Sequence, residues 1–281
     1  MSSLITVHVE GLGPVSVSSG SDFAAVVAAS KITDTSAVLA VRVDNVSLDL
    51  TAPATDGAHV TFLRFEDEAG LEVFRHSSAH LMAHAVSILF PDAKPTIGPV
   101  VEEGFYYDFG SRPFVPEDLE KIESKMAELV TANVPLQRVE VSKAEALKLF
   151  ADNLFKVEII NDLPEGTITV YRQGDFVDLC RGPHVPSTEY LKAFKLTKVA
   201  GAYWRGDQER EQLQRIYGIS FPDQERLTDY LKRMEEARER DHRKIGQDME
   251  LFSFHEEGQG FPFWHANGMV LRNAVIEYWR E

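Results

Sequence analysis

The sequence predicts an α+β protein with more than one domain. The chain has 281 residues, of which 44% are hydrophobic and 26% charged, an ordinary composition for a globular protein of one to three domains. The hydrophobic period also changes along the chain. Early segments alternate with period two, as strands do, and later segments repeat every three or four residues, as helices do.

The first 65 residues predict a small β module. Residues 4–10 and 14–18 alternate around Gly-Leu-Gly, which is typical of a hairpin. Residues 20–30 predict a short helix capped by Ser21 or Asp22. Further strands are predicted at 37–45, 46–50 and 59–65. Two strands, a helix and more strands indicate a β-grasp, ubiquitin-like fold.

A second α+β domain is predicted from Glu66 onward. The period becomes helical and continues to Phe90, where Pro91 stops it. Downstream, helices are predicted at 117–131 and 143–153, strands at 136–142, 155–162 and on both sides of the Gly turn in 167–180, and a loop at 180–188. The loop cannot be helical because Gly182-Pro183 interrupts it.

Residues 223–248 predict one charged helix that connects two domains. A narrow apolar stripe runs along it, formed by Leu227, Tyr230, Leu231 and Met234. The last stretch begins a new unit and ends on a helix at 273–281, whose apolar face lacks an evident cover. The chain therefore reads as cut off inside a third domain.

Composition excludes several classes of protein. No apolar run approaches the ~18 residues of a membrane span, and no signal peptide is evident. A single cysteine, Cys180, excludes an internal disulfide framework and favours a reducing, cytoplasmic setting. The net charge of −15 argues against coating nucleic acid through bulk electrostatics, but it allows RNA binding through local patches.

Three histidines recur at four-residue spacing in HSSAHLMAH, residues 76–84. On a helix, His76, His80 and His84 stack on one face, about one turn apart. The structural interpretation is a partly buried histidine stripe with satisfied hydrogen bonds.

A second stretch, DLCRGPH at 178–184, favours a functional interpretation. Cys180 precedes His184 by four residues, on a loop that leaves a strand. A helical His-x-x-x-His with a loop Cys-x-x-x-His is a four-ligand zinc pattern. It is equally a hydrolytic constellation, because imidazoles and a thiolate can position and deprotonate water. Together the two stretches predict one shared site.

Several segments, in order, resemble the threonyl-tRNA synthetase family over essentially the whole chain. They are HSSAH, FVDLCRGPH, GAYWRGDQERE, LQRIYGISF, RDHRKIG and FPFWHANGMVLRNAVIEYWRE. In that family the first module is the TGS domain, a β-grasp fold. The second is the editing domain, which shares both ligand-like motifs with alanyl-tRNA synthetase editing domains.

The resemblance implies a TGS domain over 1–65, an editing domain over 66–222, a linker helix over 223–246 and an incomplete class II catalytic domain over 247–281. It implies hydrolysis of mischarged seryl-tRNA(Thr) by this chain, within a parent that ligates threonine to tRNA(Thr). ATP, magnesium and a zinc ion are expected in the missing catalytic part, and no cofactor in this chain. The parent is expected to be a homodimer and this piece a monomer, without a membrane partner.

The matched motifs also imply roles for site residues. His76 and His80 are expected to face the scissile ester from the helix, with His76 as base or ribose contact. Cys180 and His184 are expected to face it from the loop and to order the water.

Three further residues are candidates for the same site. Asp178, two residues before the cysteine on a strand, points to the same face and is expected to bind the seryl ammonium. Lys156 is expected to contact water or the developing oxyanion, and Tyr107 to close the pocket. The alternatives are a solvated strand charge for Lys156 and a core aromatic for Tyr107. His84 is interpreted as structural.

Other interpretations stay open. The site is expected to hold no metal; a zinc ion would be bound by His76, His80, Cys180 and His184. A zinc-dependent free-standing aminoacyl-tRNA deacylase and a non-catalytic RNA-binding module are the rival functions. The candidate RNA backbone contacts, with a solvated face as the alternative, are Arg205, Lys232, Arg233, Arg243 and Lys244.

Overall fold

The structure, a computed structural model, describes residues 3–110 and 112–280, and this part of the chain divides after Gln224 into two compact units. It is mixed α+β, which confirms the predicted class. The helices of the described residues are α1 Phe23–Ala29, α2 Glu68–Leu89, α3 Pro116–Thr131, α4 Lys143–Leu149, α5 Leu154–Asp162, α6 Gln224–Glu239, α7 His242–Asp248 and α8 Ala266–Arg280. None of these helices is long and apolar enough to cross a membrane.

The strands of the described residues form four sheets. They are β1 Leu4–Val9, β2 Gly13–Ser18, β3 Ala40–Val43, β4 Val46–Leu48, β5 His59–Leu63, β6 Lys94–Pro95, β7 Val100–Val101, β8 Gly104–Gly110, β9 Leu136–Ser142, β10 Thr167–Gln173, β11 Phe176–Leu179, β12 Ala193–Tyr203, β13 Gln212–Phe221, β14 Phe252–Ser253 and β15 Phe263–Trp264.

The first sheet lies at the amino-terminal end of the larger unit and has the order β2-β1-β5-β3-β4. β1 runs parallel to β5, and the other neighbours are antiparallel. Helix α1 begins where the Asp22 carboxylate accepts the N–H of Ala25 at 2.9 Å. The predicted hairpin and the helix capped by Asp22 are confirmed. Val7, Phe23, Val26 and Val41 are fully or almost fully buried in the core of this module.

Helix α2 is the centre of the main core. It packs against α3, β8 and β13, and most of its length from Val73 to Val86 is buried. Polar side chains on such a helix need internal partners, because an unpaired buried polar group is costly. The five-stranded sheet beside α2 has the order β12-β13-β8-β6, and β7 joins β8.

A smaller three-stranded sheet, β11-β10-β9, carries the loop of the candidate site at the end of β11. Helix α4 packs on β9 and β10, and α4 contacts α5. The predicted strands at 136–142 and on both sides of the Gly turn are confirmed. The small core beneath them contains Ala146, Phe150, Ile160, Ile168 and Val170.

One predicted strand is wrong. Residues 155–162 belong to helix α5, although they alternate in the sequence as a strand would. The side-chain oxygen Oδ1 of Asn153 accepts the N–H of Lys156 at 3.3 Å and so caps the helix. Lys156 and Ile160, one turn apart, are its buried residues. The buried positions thus have helical spacing, although the sequence alternates locally. As a result the Lys156 side chain points into the core.

The smaller unit, from Glu225 onward, consists mainly of helices. The single charged helix predicted over 223–248 is interrupted: α6 ends at Glu239 and α7 begins at His242. The interruption follows from a new cap, since the Asp241 carboxylate accepts the N–H of Arg243 at 2.8 Å. The predicted terminal helix is present and begins earlier, at Ala266. Its exposed apolar residues include Val270, Val275, Tyr278 and Trp279.

Candidate functional site

The candidate site lies where helix α2 meets the loop that leaves β11. The loop begins with Cys180 and turns at Gly182, whose φ is +72°. A side chain at that glycine would clash with the Tyr171 hydroxyl, which lies 1.9 Å from the position of a Cβ atom. Glycine therefore permits the turn that directs Cys180 and His184 back toward the helix.

Four side chains converge there. The Sγ atom of Cys180 lies 3.2 Å from Nε2 of His76 and 3.3 Å from Nε2 of His184. The ring of His80 packs 4.2 Å from that of His184, centroid to centroid. The four potential ligand atoms all lie within 4.8 Å of one another. The structure thus brings together the two sequence motifs, which are about a hundred residues apart.

A buried polar network lies behind this cluster. Nζ of Lys156 forms an ion pair with Oδ1 of Asp178 at 2.6 Å, and both side chains are at most 2% exposed. The Tyr107 hydroxyl donates to Oδ2 of Asp178 at 2.5 Å and lies 3.3 Å from Nζ of Lys156. Nε2 of His80 lies 3.5 Å from the same Oδ2. Both oxygens of Asp178 thus face internal donors, and Tyr107 is a buried residue of the core beside them.

Burial sets the protonation of the cluster. It lowers the pKa of His76 to about 4 and that of His80 to about 3, against a partial opposing effect of the Asp178 carboxylate. Burial also lowers the pKa of His184 well below its usual value and raises that of the Cys180 thiol to about 12. The imidazoles are therefore neutral bases at pH 7, and the sulfur is a thiol.

The carboxyl group of Asp178 is ionised and supplies the negative charge next to the cluster. Burial raises its pKa, but the nearby Lys156 charge and the hydrogen bonds outweigh burial, so that its pKa lies below the usual value.

Asp49 and Tyr171 support the loop, and sequence reasoning missed both of them. Oδ1 of Asp49 accepts the backbone N–H of His184 at 2.7 Å, and Oδ2 accepts the Tyr171 hydroxyl at 2.6 Å. Asp49 follows β4 in the amino-terminal sheet, so this module holds the loop of the site. The sequence carries only a weak signal, a lone carboxylate between leucines, because its partners are more than a hundred residues away.

A hydroxyl of helix α2 also supports the loop. Oγ of Ser77 lies 3.1 Å from Nδ1 of His184 and accepts the N–H of Val185 at 3.0 Å. These contacts leave Nε2 of the His184 ring directed toward Cys180.

His84 lies outside the cluster. Its Nδ1 contacts the Gln173 amide at 2.9 Å, and its ring stacks on Phe176 with centroids 5.3 Å apart. Its surroundings are those of a core histidine with a satisfied hydrogen bond.

The cluster fits a zinc ion. Zinc accepts cysteine and histidine ligands at about 2.0–2.3 Å in a tetrahedron, and small side-chain shifts bring the four atoms to such distances. The contact of Ser77 with His184 is the kind of outer contact that orients a metal ligand. Zinc binding would require loss of the Cys180 proton.

Two predicted RNA contacts are already paired. Arg243 forms an ion pair with Asp241 at 2.9 Å. The Arg205 guanidinium contacts Glu158 at 3.0 Å and Asp162 at 2.5 Å. Acidic partners hold this side chain in place, which disfavours it as a free phosphate ligand.

Comparison with known proteins is consistent with this geometry. Residues 168–217, which include Asp178, Cys180 and His184, match the model of the threonyl and alanyl tRNA synthetase second additional domain. The chain is 56% identical over 238 residues to a threonine–tRNA ligase of Carboxydothermus hydrogenoformans, covering 83% of this chain and 38% of that protein. It is 54% identical over 243 residues to the ligase of Desulfatibacillum aliphaticivorans, covering 86% and 38%.

The chain thus spans less than two fifths of these relatives, at 38% of their length. The domain match and the similarity over more than four fifths of the chain support its place in the threonyl-tRNA synthetase family.

Proposed function

We propose that this chain is the editing part of a threonyl-tRNA synthetase and hydrolyses the ester of mischarged seryl-tRNA(Thr). The observation that carries the proposal is the convergence of His76, His80, Cys180 and His184 in front of the Lys156–Asp178 pair. We further propose the domain boundaries 1–65 (TGS, β-grasp), 66–222 (editing), 223–246 (linker) and 247–281 (start of a class II catalytic domain).

The chemistry of amino-acid selection supports a second site. Serine lacks one methyl group of threonine, and one methyl in a pocket discriminates by only about 1–3 kcal/mol. An editing pocket that admits serine and excludes the extra methyl by shape multiplies that selectivity. The hydroxyl is common to both amino acids, so hydrogen bonding to it cannot discriminate.

The proposed reaction is attack of water on the ester carbonyl. The neutral imidazole of His76 accepts the proton of the water at Nε2 as the water oxygen attacks the carbonyl carbon. Nε2 of His80 faces the Asp178 carboxylate and therefore carries its own proton. The ester bond then breaks, and the ribose oxygen leaves with a proton. Lys156 and Tyr107 hold Asp178, which orients His80. The Lys156 ammonium is proposed to stabilise the developing oxyanion.

Cys180 is disfavoured as a covalent nucleophile. Only a thiolate attacks efficiently, and burial keeps this sulfur protonated, with a pKa of about 12. Its proposed role is to donate its S–H to Nε2 of His184, 3.3 Å away, which orients that ring and leaves Nε2 of His76 free to act as the base.

A zinc-dependent aminoacyl-tRNA deacylase is the second candidate, favoured by the four ligand atoms within 4.8 Å. His76, His80, Cys180 and His184 would hold the ion. These four ligands fill a tetrahedron, so the ion would act on water only as a fifth ligand or in place of one residue; it would then lower the pKa of that water and polarise the carbonyl.

The deciding experiment is deacylation of seryl-tRNA(Thr), beside threonyl-tRNA(Thr), with and without a strong zinc chelator. The proposal expects hydrolysis of the serine ester alone, unaffected by chelator. Loss of activity on chelation would favour the zinc reaction. No hydrolysis of either seryl-tRNA(Thr) or the minimal ester O-seryl-adenosine by folded protein would contradict both and favour a non-catalytic RNA-binding module.

The parent protein, as its relatives' names suggest, is proposed to be a cytoplasmic threonine–tRNA ligase that binds tRNA(Thr) and acts as a homodimer. The ATP, magnesium and zinc of ligation are assigned to its catalytic part and not to residues 1–222.

A further inference from the structure

A cleft of about 560 Å³ lies behind the loop of the site. One wall is the stretch 46–53, which leads from β4 toward the next turn. The other wall contains Arg181 and Pro183 of the loop and Tyr171 of β10, and Arg138 of β9 joins them. Two arginines from different elements therefore line one cavity that adjoins the cysteine of the site.

The two arginines are available to an anion. Arg181 is exposed, and its side chain has no hydrogen bond or ion pair with any residue that the structure describes. Arg138 contacts Glu140 at 2.7 Å and Thr169 at 3.2 Å. The ion pair with Glu140 is exposed and therefore weak, so a phosphate would compete with a single carboxylate here, whereas two carboxylates hold Arg205.

The cleft lining also contains one acidic residue, Asp49. Both oxygens of Asp49 already accept hydrogen bonds, one from the backbone N–H of His184 and one from the Tyr171 hydroxyl. Its carboxylate is therefore engaged with the protein, and the lining has two arginines against this one carboxylate, on a chain with a net charge of −15. Binding of an anionic polymer by such a chain depends on a local patch of this kind.

We propose that Arg181 and Arg138 bind a backbone phosphate of the RNA substrate close to its esterified end. The proposal rests on the proposed function. Arg181 follows Cys180 directly, so the cleft and the cluster share one loop, and an RNA whose esterified end lies at the cluster passes close to the cleft. Guanidinium groups suit this role, because their planar donors bind phosphate oxygens in pairs. The site would position the RNA without reading its sequence.

The test compares Arg181→Gln and Arg138→Gln with the unchanged chain on two substrates. On seryl-tRNA(Thr), each variant is expected to lower kcat/KM about tenfold or more, through KM, because a hydrogen bond between charged groups is lost. On O-seryl-adenosine, which has no phosphate, the expected change is below about twofold. Arg181→Lys keeps the charge and is expected to recover part of the loss.

Binding of uncharged tRNA is measured in parallel, so that the result does not depend on hydrolysis. Removing both arginines, which share one phosphate, should make the slope of log affinity against log salt shallower by about 0.7, the value per phosphate of a single strand, and each single variant should give part of that change. Arg42→Gln, at an exposed arginine of β3 outside the cleft, is the matched control and should change neither affinity nor slope.

Three results would overturn the proposal: an equal loss on both substrates, no loss on seryl-tRNA(Thr), or an unchanged salt slope. A further outcome is that the unchanged chain binds tRNA with a salt slope that depends on the arginines and yet hydrolyses no ester. That result would support phosphate binding in the cleft and contradict the proposed hydrolytic function.

Discussion

The two ends of the histidine stripe on helix α2 differ in what faces them. His76 and His80 meet a loop that supplies Cys180 and His184, whereas His84, one turn further, meets an amide and an aromatic ring. The residue type, the helix and the spacing are the same. The difference shows that helical period places side chains on a face, and that the opposing element decides whether they form a site.

The largest expected effect is the loss of deacylation on substitution of His76 or His80, compared with substitution of His84. His76→Asn or His80→Asn should lower the rate of seryl-tRNA(Thr) deacylation about 10²–10⁴-fold, since a proton acceptor or its neighbour is lost. His84→Asn should change the rate by no more than about threefold. Single-turnover deacylation measures all three. A comparable loss in His84→Asn would mean that the whole stripe acts in the reaction.

Lys156→Met tests the buried polar network of Lys156, Asp178 and Tyr107 behind the cluster. It leaves the Asp178 carboxylate buried without its cation, and should lower the free energy of unfolding by about 3–5 kcal/mol. Adding Asp178→Asn should recover part of that loss. Lys94→Met removes the more exposed pair with Asp152 and should cost no more than about 1 kcal/mol. Denaturant unfolding gives these values, and equal losses in both single variants would contradict the assignment.

Asp49→Ala tests the support of the loop. It removes the acceptor of the Tyr171 hydroxyl and of the His184 backbone N–H. This should lower the free energy of unfolding by about 1–3 kcal/mol and lower the deacylation rate. Asp56→Ala, at an exposed carboxylate that accepts the Thr6 N–H in the same module, is the control and should leave deacylation unchanged. Unchanged activity in Asp49→Ala would show that the loop holds its shape without this module.

The last prediction concerns the pH dependence of stability due to His84, at the end of the histidine stripe outside the cluster. Burial lowers the pKa of His84 from 6.5 to about 4, against a partial opposing effect of Asp175. Below pH 6.5 the unfolded chain binds a proton that the folded chain does not, so stability falls with falling pH by up to about 1.4 kcal/mol per unit from this residue. Denaturation at pH 7, 6 and 5 should show a shallower dependence in His84→Asn. An identical slope would mean that His84 titrates normally.

Local pattern was enough for much of the fold. The amino-terminal hairpin, the Asp22 cap and helix α2 all follow from alternation, capping chemistry and helical period. The strand predicted around Lys156 failed because a short alternating run suits either state. The cap from Asn153 and the burial of Ile160 stabilise the helix at this position.

The sequence by itself determined the chemical types of the site and their local spacing: a helix with histidines every four residues and a loop with one cysteine and one histidine. Only the tertiary structure decided that these two segments meet, that Lys156 turns inward to Asp178, and that Asp49 holds the loop. The physical reason is distance along the chain. Local rules act over a few residues, whereas these contacts join residues that are 22 to 135 positions apart and depend on how the layers pack.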